Sequence, residues 1–298
     1  MKAAATVLFF FACIIIVNPS YSQLRDEADL HETGIASAAS QQSKMNFFVV
    51  SKRKKGALDL ASRFNVFRAK MKSVFRQKKF VAIVARNAQH ACNKIEFRLN
   101  KYNARIGTLW FDSHGMYKKG YSLFFIGHDE ISYKTLKDSC TVIPFQKLAV
   151  YSDIQTNLVI GSCYGGATYT RASIDYKDTT RMNGDSLMIA LGKIIRQGNV
   201  YASESWVMTK PGLFLKREAV AGFPGRNLFR DICYQPAWEN AGKWNAYNIG
   251  TGSFTAINPV TLDMYGNVLV RSSAYQDRDE VCKDISKNMK KLEPGLYK

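Results

Sequence analysis

Two short runs of the sequence contain residue types that can carry out covalent chemistry together. His114 lies in Asp-Ser-His-Gly (112–115), and Cys163 lies in Gly-Ser-Cys-Tyr-Gly (161–165). An imidazole close to a thiol favours the thiolate, which is the nucleophile that acyl transfer needs. The glycines beside both residues let the backbone approach a substrate carbonyl, so that N–H groups can stabilise an oxyanion. The two runs therefore indicate a cysteine nucleophile with a histidine base, if the fold brings them together.

Each run follows an apolar segment of the kind that forms a buried strand. Residues 106–111 precede the histidine, and residues 157–160 precede the cysteine. The other predicted elements are strands at 80–85 and 200–203, an antiparallel pair at 121–126 and 130–133, and helices at 88–102, 145–154 and 184–196. This alternation predicts an α/β fold with a mostly parallel sheet covered by helices on both faces. The carboxyl ends of such strands share one edge, where the chemistry is expected.

With these two motifs the chain resembles the caspase-like cysteine peptidases, a group that includes caspases, legumains, gingipains and clostripains. The shared features lie within residues 80–210: one strand ends in His-Gly, a later strand ends in small-small-Cys-x-Gly, and the cysteine follows the histidine by 49 residues. The resemblance implies His114 as general base and acid, Cys163 as nucleophile, and the backbone N–H groups of Gly115 and Cys163 as oxyanion hole. It implies no metal or other cofactor. The run around the cysteine departs from the Gln-Ala-Cys-x-Gly of caspases, which speaks against cleavage after aspartate.

The resemblance also implies a place for the pocket that binds the residue before the cut bond, near the ends of the first and fourth core strands. Arg86 and Ser-Glu-Ser-Trp (203–206) occupy these positions. Glu204 would select a basic substrate residue and Arg86 an acidic one, whereas a pair between the two would leave an apolar pocket beside Trp206. We favour Glu204 and a basic preference, because Lys-Arg-Lys-Lys (52–55) would then be a site of self-cleavage.

The amino terminus predicts export. A lysine at position 2, an apolar stretch at 3–17 and small residues at 20 and 22 are typical of a signal peptide spanning 1–22, and thus of a secreted or periplasmic protein. Residues 23–56 are predicted to be a flexible leader. The mature chain would keep five cysteines, an odd number, so at least one thiol stays unpaired. The four besides Cys163 allow two disulfides in three pairings: Cys92, Cys140, Cys233 and Cys282.

Much of the positive charge lies in one segment. The chain carries a formal net charge of +18, and residues 52–79 hold 11 Lys and Arg against one acid. Apolar side chains at helical spacing within them predict a basic amphipathic helix at 57–79. Three interpretations stay open: a surface helix packed on the domain, a helix that binds an anionic surface or polymer, and a pro-segment removed at 52–55. The segment matches no nucleic-acid-binding motif, so nucleic acid is not an expected partner.

The C-terminal extension, residues 211–298, is predicted to contain strands and to pack on the core. Residues 252–257 and 267–270 alternate in the manner of a hairpin, and residues 277–291 are typical of a helix. After removal of the signal peptide, no apolar run in the chain is long enough to cross a membrane.

The sequence thus predicts an exported cysteine endopeptidase that hydrolyses protein or peptide substrates through a thioester acyl-enzyme. One alternative is a secreted, non-catalytic protein of the same fold that binds an anionic surface through its basic helix, because strand-end cysteines and histidines are often structural. Another is a toxin whose peptidase processes only its own chain. No Gly-x-Ser-x-Gly elbow is present, so the serine triad of the α/β-hydrolases is excluded.

Overall fold

The computed structural model describes residues 42–52, 67, 70–71, 79–118, 121–172, 179–205, 207–211, 220–224, 240 and 242–271. The strands are β1 (Ser43–Ser51), β2 (Phe80–Ala85), β3 (Ala104–Asp112), β4 (Gly115–Lys118), β5 (Tyr121–Ile126), β6 (Asp129–Ser132), β7 (Asn157–Gly161), β8 (Thr170–Ala172), β9 (Thr179–Arg181), β10 (Asn199–Ser203), β11 (Val207–Pro211), β12 (Val220–Pro224), β13 (Trp244–Asn248), β14 (Ser253–Ile257), β15 (Val260–Leu262) and β16 (Val268–Val270). The α-helices are α1 (Ala88–Tyr102), α2 (Ser139–Gln146) and α3 (Gly184–Ile195).

Seven of these strands form the central sheet, in the order β14-β13-β10-β7-β3-β1-β2. The five strands from β10 to β2 run parallel, whereas β13 and β14 are each antiparallel to their neighbours. The carboxyl ends of β3, β7 and β10 therefore lie side by side along one edge. The predicted α/β class with a mostly parallel sheet is confirmed.

The three α-helices whose bounds are given above pack on one face of this sheet. Their buried side chains, such as Ile95 of α1, Phe145 of α2 and Leu191 of α3, belong to one apolar cluster with Phe47 and Ile160 of the sheet. Alternate strand residues point to opposite faces. The side chains that flank Phe47 and Ile160 along the strands therefore face away from the helices.

The opposite face holds a second apolar cluster. Phe48, Trp110 and Trp244 of the central sheet pack there against Val260 and Leu262 of β15. This strand belongs to a four-stranded sheet with the order β11-β12-β15-β16. The predicted C-terminal β-containing extension is thus confirmed, and in the described part of the chain it is strands rather than helices that cover this face.

Strand β1 corrects the predicted extent of the leader. The sequence predicts flexibility up to residue 56, but residues 43–51 form a strand between β2 and β3. Met45, Phe47 and Phe48 are fully buried there, at 0% exposure. The prediction is wrong for this segment because Asn46 interrupts the continuous apolar run that identifies a strand buried on both faces.

We expect Phe47→Ala to lower the free energy of unfolding by about 3–5 kcal/mol, because it removes a fully buried ring from β1, between β2 and β3 of the central sheet. The matched control is Phe97→Ala, which truncates a ring that is 63% exposed on α1 and should cost about 0.5 kcal/mol or less. Urea unfolding followed by tryptophan fluorescence measures both values. A Phe47→Ala protein as stable as the wild type would mean that residues 43–51 do not belong to the folded sheet.

Two predictions of elements are wrong in detail. The helix expected at 145–154 is instead α2, Ser139–Gln146, followed by a single 3-10 turn at Ala149–Tyr151. The hairpin expected between residues 252–257 and 267–270 does not form. β14 pairs with β13, and β16 pairs with β15 across the intervening turn.

Several predicted features lie outside the described residues: the signal peptide 1–22, most of the basic helix 57–79, the helix at 277–291, Trp206, Cys233 and Cys282. Cys92 and Cys140 are both free thiols, so neither joins a disulfide and the pairings that include them are wrong. Among the described helices, none combines the length and the apolar character that a membrane crossing requires.

Candidate active site

The runs that contain His114 and Cys163 begin at paired positions at the ends of two neighbouring strands. β3 and β7 pair in parallel, and in their register Asp112 lies opposite Gly161. His114 and Cys163 each follow two residues after that pair. Neighbouring strands are roughly 4.8 Å apart, so the two runs begin side by side at the carboxyl edge of the sheet. The fold therefore brings the two predicted runs together.

Gly115 packs directly against the backbone of Cys163. A Cβ placed on Gly115 would lie 2.8 Å from the nitrogen of Cys163 and 2.9 Å from the Oγ of Ser162, and it would come closer still to the carbonyl oxygen of Cys163. Only glycine fits at position 115 without a shift of the backbone. The two residues whose N–H groups the sequence assigns to the oxyanion hole are thus in direct contact.

The loop after Cys163 has an unusual but well-anchored backbone. Tyr164 has a φ of 60°, in the left-handed region that bulky side chains seldom adopt. Its N–H donates to the carbonyl of Ser205 at 3.0 Å, and the N–H of Gly166 donates to the carbonyl of Ser203 at 2.8 Å. Both acceptors lie at the end of β10, the strand next to β7. These bonds fix the direction in which the chain leaves the cysteine.

An apolar cluster packs around this loop and shields one side of the cysteine from water. Its buried members come from the loop and from the segment before α3, and partly buried residues pack against them. The cluster consists of Tyr164, Ala167 and Met182, with Tyr117, Cys163 and Tyr169 against them. Tyr117 belongs to β4, which continues directly from the histidine run, so the histidine and cysteine runs share this packing.

The thiol of Cys163 is held by a hydrogen bond in surroundings that disfavour its charged form. Its Sγ donates a hydrogen bond to the carbonyl of Val207 at the start of β11, over 3.6 Å. Burial raises the pKa of this thiol above its usual value, and backbone hydrogen bonds at Val207, Gly115 and Cys163 itself act in the opposite direction. A thiol whose charged form is disfavoured is a weak nucleophile until something changes its surroundings.

We expect Cys163 in the resting protein to react slowly with iodoacetamide at pH 7, because a raised pKa leaves little thiolate, and to react faster as the pH rises. Cys140, which is exposed, should be alkylated first. Cys92 should remain unmodified in the folded protein, since burial raises its pKa to about 12. Peptide mapping after timed quenching measures the three rates in one sample. Faster reaction of Cys163 than of Cys140 at pH 7 would contradict surroundings that disfavour the thiolate of Cys163.

The imidazole of His114 is exposed and makes no hydrogen bond to any other described residue. Ser113 does contact this residue, but through the backbone, since its Oγ donates to the carbonyl of His114 at 3.3 Å. The histidine and the thiol therefore come from adjacent segments without being bonded to each other. Catalytic hydrogen bonds in unliganded enzymes are often absent or long and tighten when substrate binds.

Glu204 follows β10 directly and is half-buried. Its Oε1 accepts a hydrogen bond from Nδ2 of Asn245 at 2.9 Å, and the same Nδ2 donates to the carbonyl of Gly166, also at 2.9 Å. No cation among the described residues lies within ion-pair distance of Glu204. Asn245 carried no local sequence signal, because this residue reaches the site from β13, far along the chain.

Arg86 is further from the cysteine. It is exposed and follows β2, the edge strand, which lies four strand spacings from β10, or roughly 19 Å. The predicted alternative in which Arg86 pairs with Glu204 is therefore wrong, because the sheet keeps them apart. Trp206, the third residue predicted for the pocket, is outside the described residues.

Metal-ligating side chains do not converge in the described part of the chain. No group of three or more His, Cys, Asp or Glu side chains there is arranged to hold an ion.

No protein-family model matches the sequence, and no curated protein matches it. Among solved structures, the chain is similar to a secreted C11 cysteine protease from Bacteroides thetaiotaomicron in complex with an irreversible peptide inhibitor. The TM-score is 0.34 and the sequence identity is 10%, over 70% of this chain and 66% of that chain, which is slightly less than two thirds. A TM-score this low does not establish a common fold or activity.

Proposed function

We propose that the protein is a cysteine endopeptidase in which Cys163 is the nucleophile and His114 the general base. The observation that carries this proposal is the register of β3 and β7, which starts the histidine and cysteine runs side by side, with Gly115 packed on the backbone of Cys163. The motifs that resemble those of caspase-like peptidases point to the same residues. The substrates are proteins or peptides, and the mechanism needs no metal or cofactor.

In the proposed reaction, His114 takes the proton from the Sγ of Cys163 as the sulfur attacks the carbonyl carbon of the scissile bond. The carbonyl oxygen becomes an oxyanion that accepts hydrogen bonds from the N–H groups of Gly115 and Cys163. The C–N bond then breaks, and His114 gives its proton to the departing amine. Water, deprotonated by the same imidazole, then attacks the carbonyl carbon of the thioester. The C–S bond breaks, the acyl portion leaves as the carboxylic acid product, and His114 gives the proton back to the Sγ of Cys163.

The hydrogen bond between the Cys163 thiol and Val207 must break before this reaction can start. Burial disfavours the charged form of the thiol, and Sγ is hydrogen-bonded to the carbonyl of Val207. We infer that an extended substrate turns Sγ from Val207 towards the imidazole of His114. In this proposal His114 deprotonates the thiol only after the substrate has bound.

Glu204 supports a preference for Arg or Lys before the cut bond. Its carboxylate lies next to the strand that carries Cys163, and no described cation neutralises it. Arg86 is too distant from the cysteine strand to play the corresponding role for an acidic substrate. A carboxylate that no described cation neutralises is well suited to bind a cationic side chain.

Self-cleavage at 52–55 is part of the same proposal, as is export directed by residues 1–22. Lys52 follows β1 directly, and its N–H donates to the carbonyl of Ala85 at 2.8 Å. Cleavage in this run would therefore leave β1 in the sheet, held by its pairs with β2 and β3 instead of by the chain. Residues 43–51 would remain with the processed enzyme as a separate fragment.

Binding to an anionic surface through residues 57–79 is the second candidate function. The observation that favours it is the exposure of two large apolar side chains one helical turn apart, Phe67 at 56% and Met71 at 43%. Apolar side chains on a strongly basic helix are the combination that anionic membranes bind.

A peptide library varied at the residue before the cut bond tests the proposed function. The purified protein is incubated with the library, and new termini are identified by mass spectrometry. Cleavage that stops when a thiol reagent modifies Cys163 supports the peptidase. If the folded protein cuts no peptide, and vesicles of anionic lipid retain it, the second function replaces the first.

A further inference from the structure

Asn245 connects two parts of the site that are distant in sequence. Its partners Gly166 and Glu204 lie 79 and 41 residues away along the chain. Asn245 is buried, at 8% exposure, and its single amide nitrogen makes both bonds at 2.9 Å. An amide nitrogen has two N–H donors, so both are used, one for the cysteine loop and one for the carboxylate.

The backbone of Glu204 is held as well. Its N–H donates to the carbonyl of Lys243 at 3.0 Å, so the residue is fixed through its main chain and its side chain by the same segment. The ammonium of Lys243 donates to Oδ1 of Asn240 at 3.2 Å, and it forms no ion pair with Glu204 within the described part of the chain. The carboxylate of Glu204 is thus oriented without being neutralised by a described cation.

The choice of an amide at position 245 has a chemical consequence. A lysine or arginine there would also orient Glu204, but it would cancel the negative charge. A carboxylate or an apolar side chain could donate to neither partner. Asparagine is therefore suited to hold a charged acceptor in place and to leave its charge available to a cationic ligand.

We propose that Asn245 is a positioning residue that aligns the carboxylate of Glu204 with the loop of Cys163, and so sets a preference for Arg or Lys before the cut bond. This inference rests on the proposed peptidase function. The bond to Gly166, three residues after the nucleophile, ties the position of the pocket to the position of the sulfur. A guanidinium or ammonium held by Glu204 would then present the following peptide bond to Cys163.

The test compares two fluorogenic peptides that differ only in the residue before the cut bond, arginine in one and norleucine in the other. Asn245→Ala should lower the ratio of their kcat/KM values by about tenfold or more, since the charged acceptor loses its donor. The norleucine peptide should be cut within about threefold of the wild-type rate. The matched control is Asn248→Ala, on the same strand at the opposite edge of the sheet, where the side chain is exposed.

A double-mutant cycle separates positioning from a merely structural effect. Glu204→Gln keeps an oxygen acceptor for Asn245 but removes the charge, and it should abolish the preference for arginine by itself. In that background Asn245→Ala should change the ratio no further. If Asn245→Ala does not fold, as judged by thermal unfolding, Asn245→Ser, which keeps one donor, takes its place in the cycle.

Four results would overturn the inference, and only the first of them also contradicts the proposed function. If the wild-type protein cuts no peptide, both the proposed function and the inference about Asn245 are contradicted. If the wild-type protein cuts both peptides equally, the peptidase function is supported and the role of Asn245 is contradicted. An unchanged ratio of the two kcat/KM values in folded Asn245→Ala would also contradict the role of Asn245. So would an Asn245→Ala effect on this ratio that is equally large in the wild-type and Glu204→Gln backgrounds.

Discussion

Cys163→Ala should reduce the kcat/KM of peptide cleavage by at least about 10⁴-fold, because the atom that forms the thioester is gone while the rest of the site remains. The substitution removes one half-buried sulfur and adds no volume, so the loop anchored by Tyr164 and Gly166 should keep its conformation. The measurement uses the best peptide from the library, with products separated and quantified over several hours.

The matched control is Cys140→Ala, which removes an exposed free thiol in α2 and should leave cleavage unchanged. Thermal unfolding of both variants shows whether each is folded. Cleavage by folded Cys163→Ala at more than a few per cent of the wild-type rate would mean that another group attacks the peptide, and the assignment of the nucleophile would be wrong.

Gly115→Ala should lower kcat/KM by about 10²–10³-fold, the effect expected when an oxyanion donor is displaced. A Cβ at this position meets the backbone of Cys163 rather than a flexible side chain, so one of the two segments must move. Either movement takes an N–H group away from the place where the oxyanion forms. Steady-state kinetics on the best peptide measures the loss, which should fall mainly on kcat.

Gly250→Ala is the matched control for this substitution. A Cβ on Gly250 has one neighbour within 4 Å, Oδ1 of Asn248 at 3.4 Å, which is ordinary contact. The same chemical change at the opposite edge of the sheet should therefore have little effect on activity. If folded Gly115→Ala cleaves peptides as fast as the wild type, the segment after His114 does not contribute to the reaction.

Much of the sheet could be predicted because its strands are apolar runs between polar turns. β2 and α1 lie at the predicted positions, 80–85 and 88–102. The antiparallel pair β5 and β6 also forms around the predicted turn. These elements are specified locally, by runs of β-branched and aromatic residues or by helical spacing, so no knowledge of distant partners is needed.

β1 could not be recognised because what stabilises it is distant in sequence. Asn46 interrupts its apolar run, and a buried asparagine in a strand usually speaks against a core position. In the structure its Nδ2 donates to the carbonyl of Tyr265 at 2.7 Å and to Oδ1 of Asn267 at 3.1 Å. These partners are 219 and 221 residues away, in the turn between β15 and β16.

The site was predictable to the extent that its chemistry follows from strand ends. His114 and Cys163 stand out because each follows an apolar run and is flanked by glycine. Asn245 had no such signal, since it is an ordinary polar residue in an antiparallel strand that pairs with β10. The hydrogen bond from Cys163 to Val207 likewise joins residues 44 apart in the chain, a contact that local sequence does not determine.

Detection of the acyl-enzyme is the most direct measurement of the central claim, that Cys163 forms a thioester with the substrate. The protein is mixed with its best peptide, quenched in acid within one turnover, digested and mapped by mass spectrometry. The prediction is that the peptide containing Cys163 carries the mass of the substrate's acyl portion, and that hydroxylamine removes it. Cleavage of the substrate with no adduct on Cys163, or with an adduct on Cys140 instead, would contradict the account.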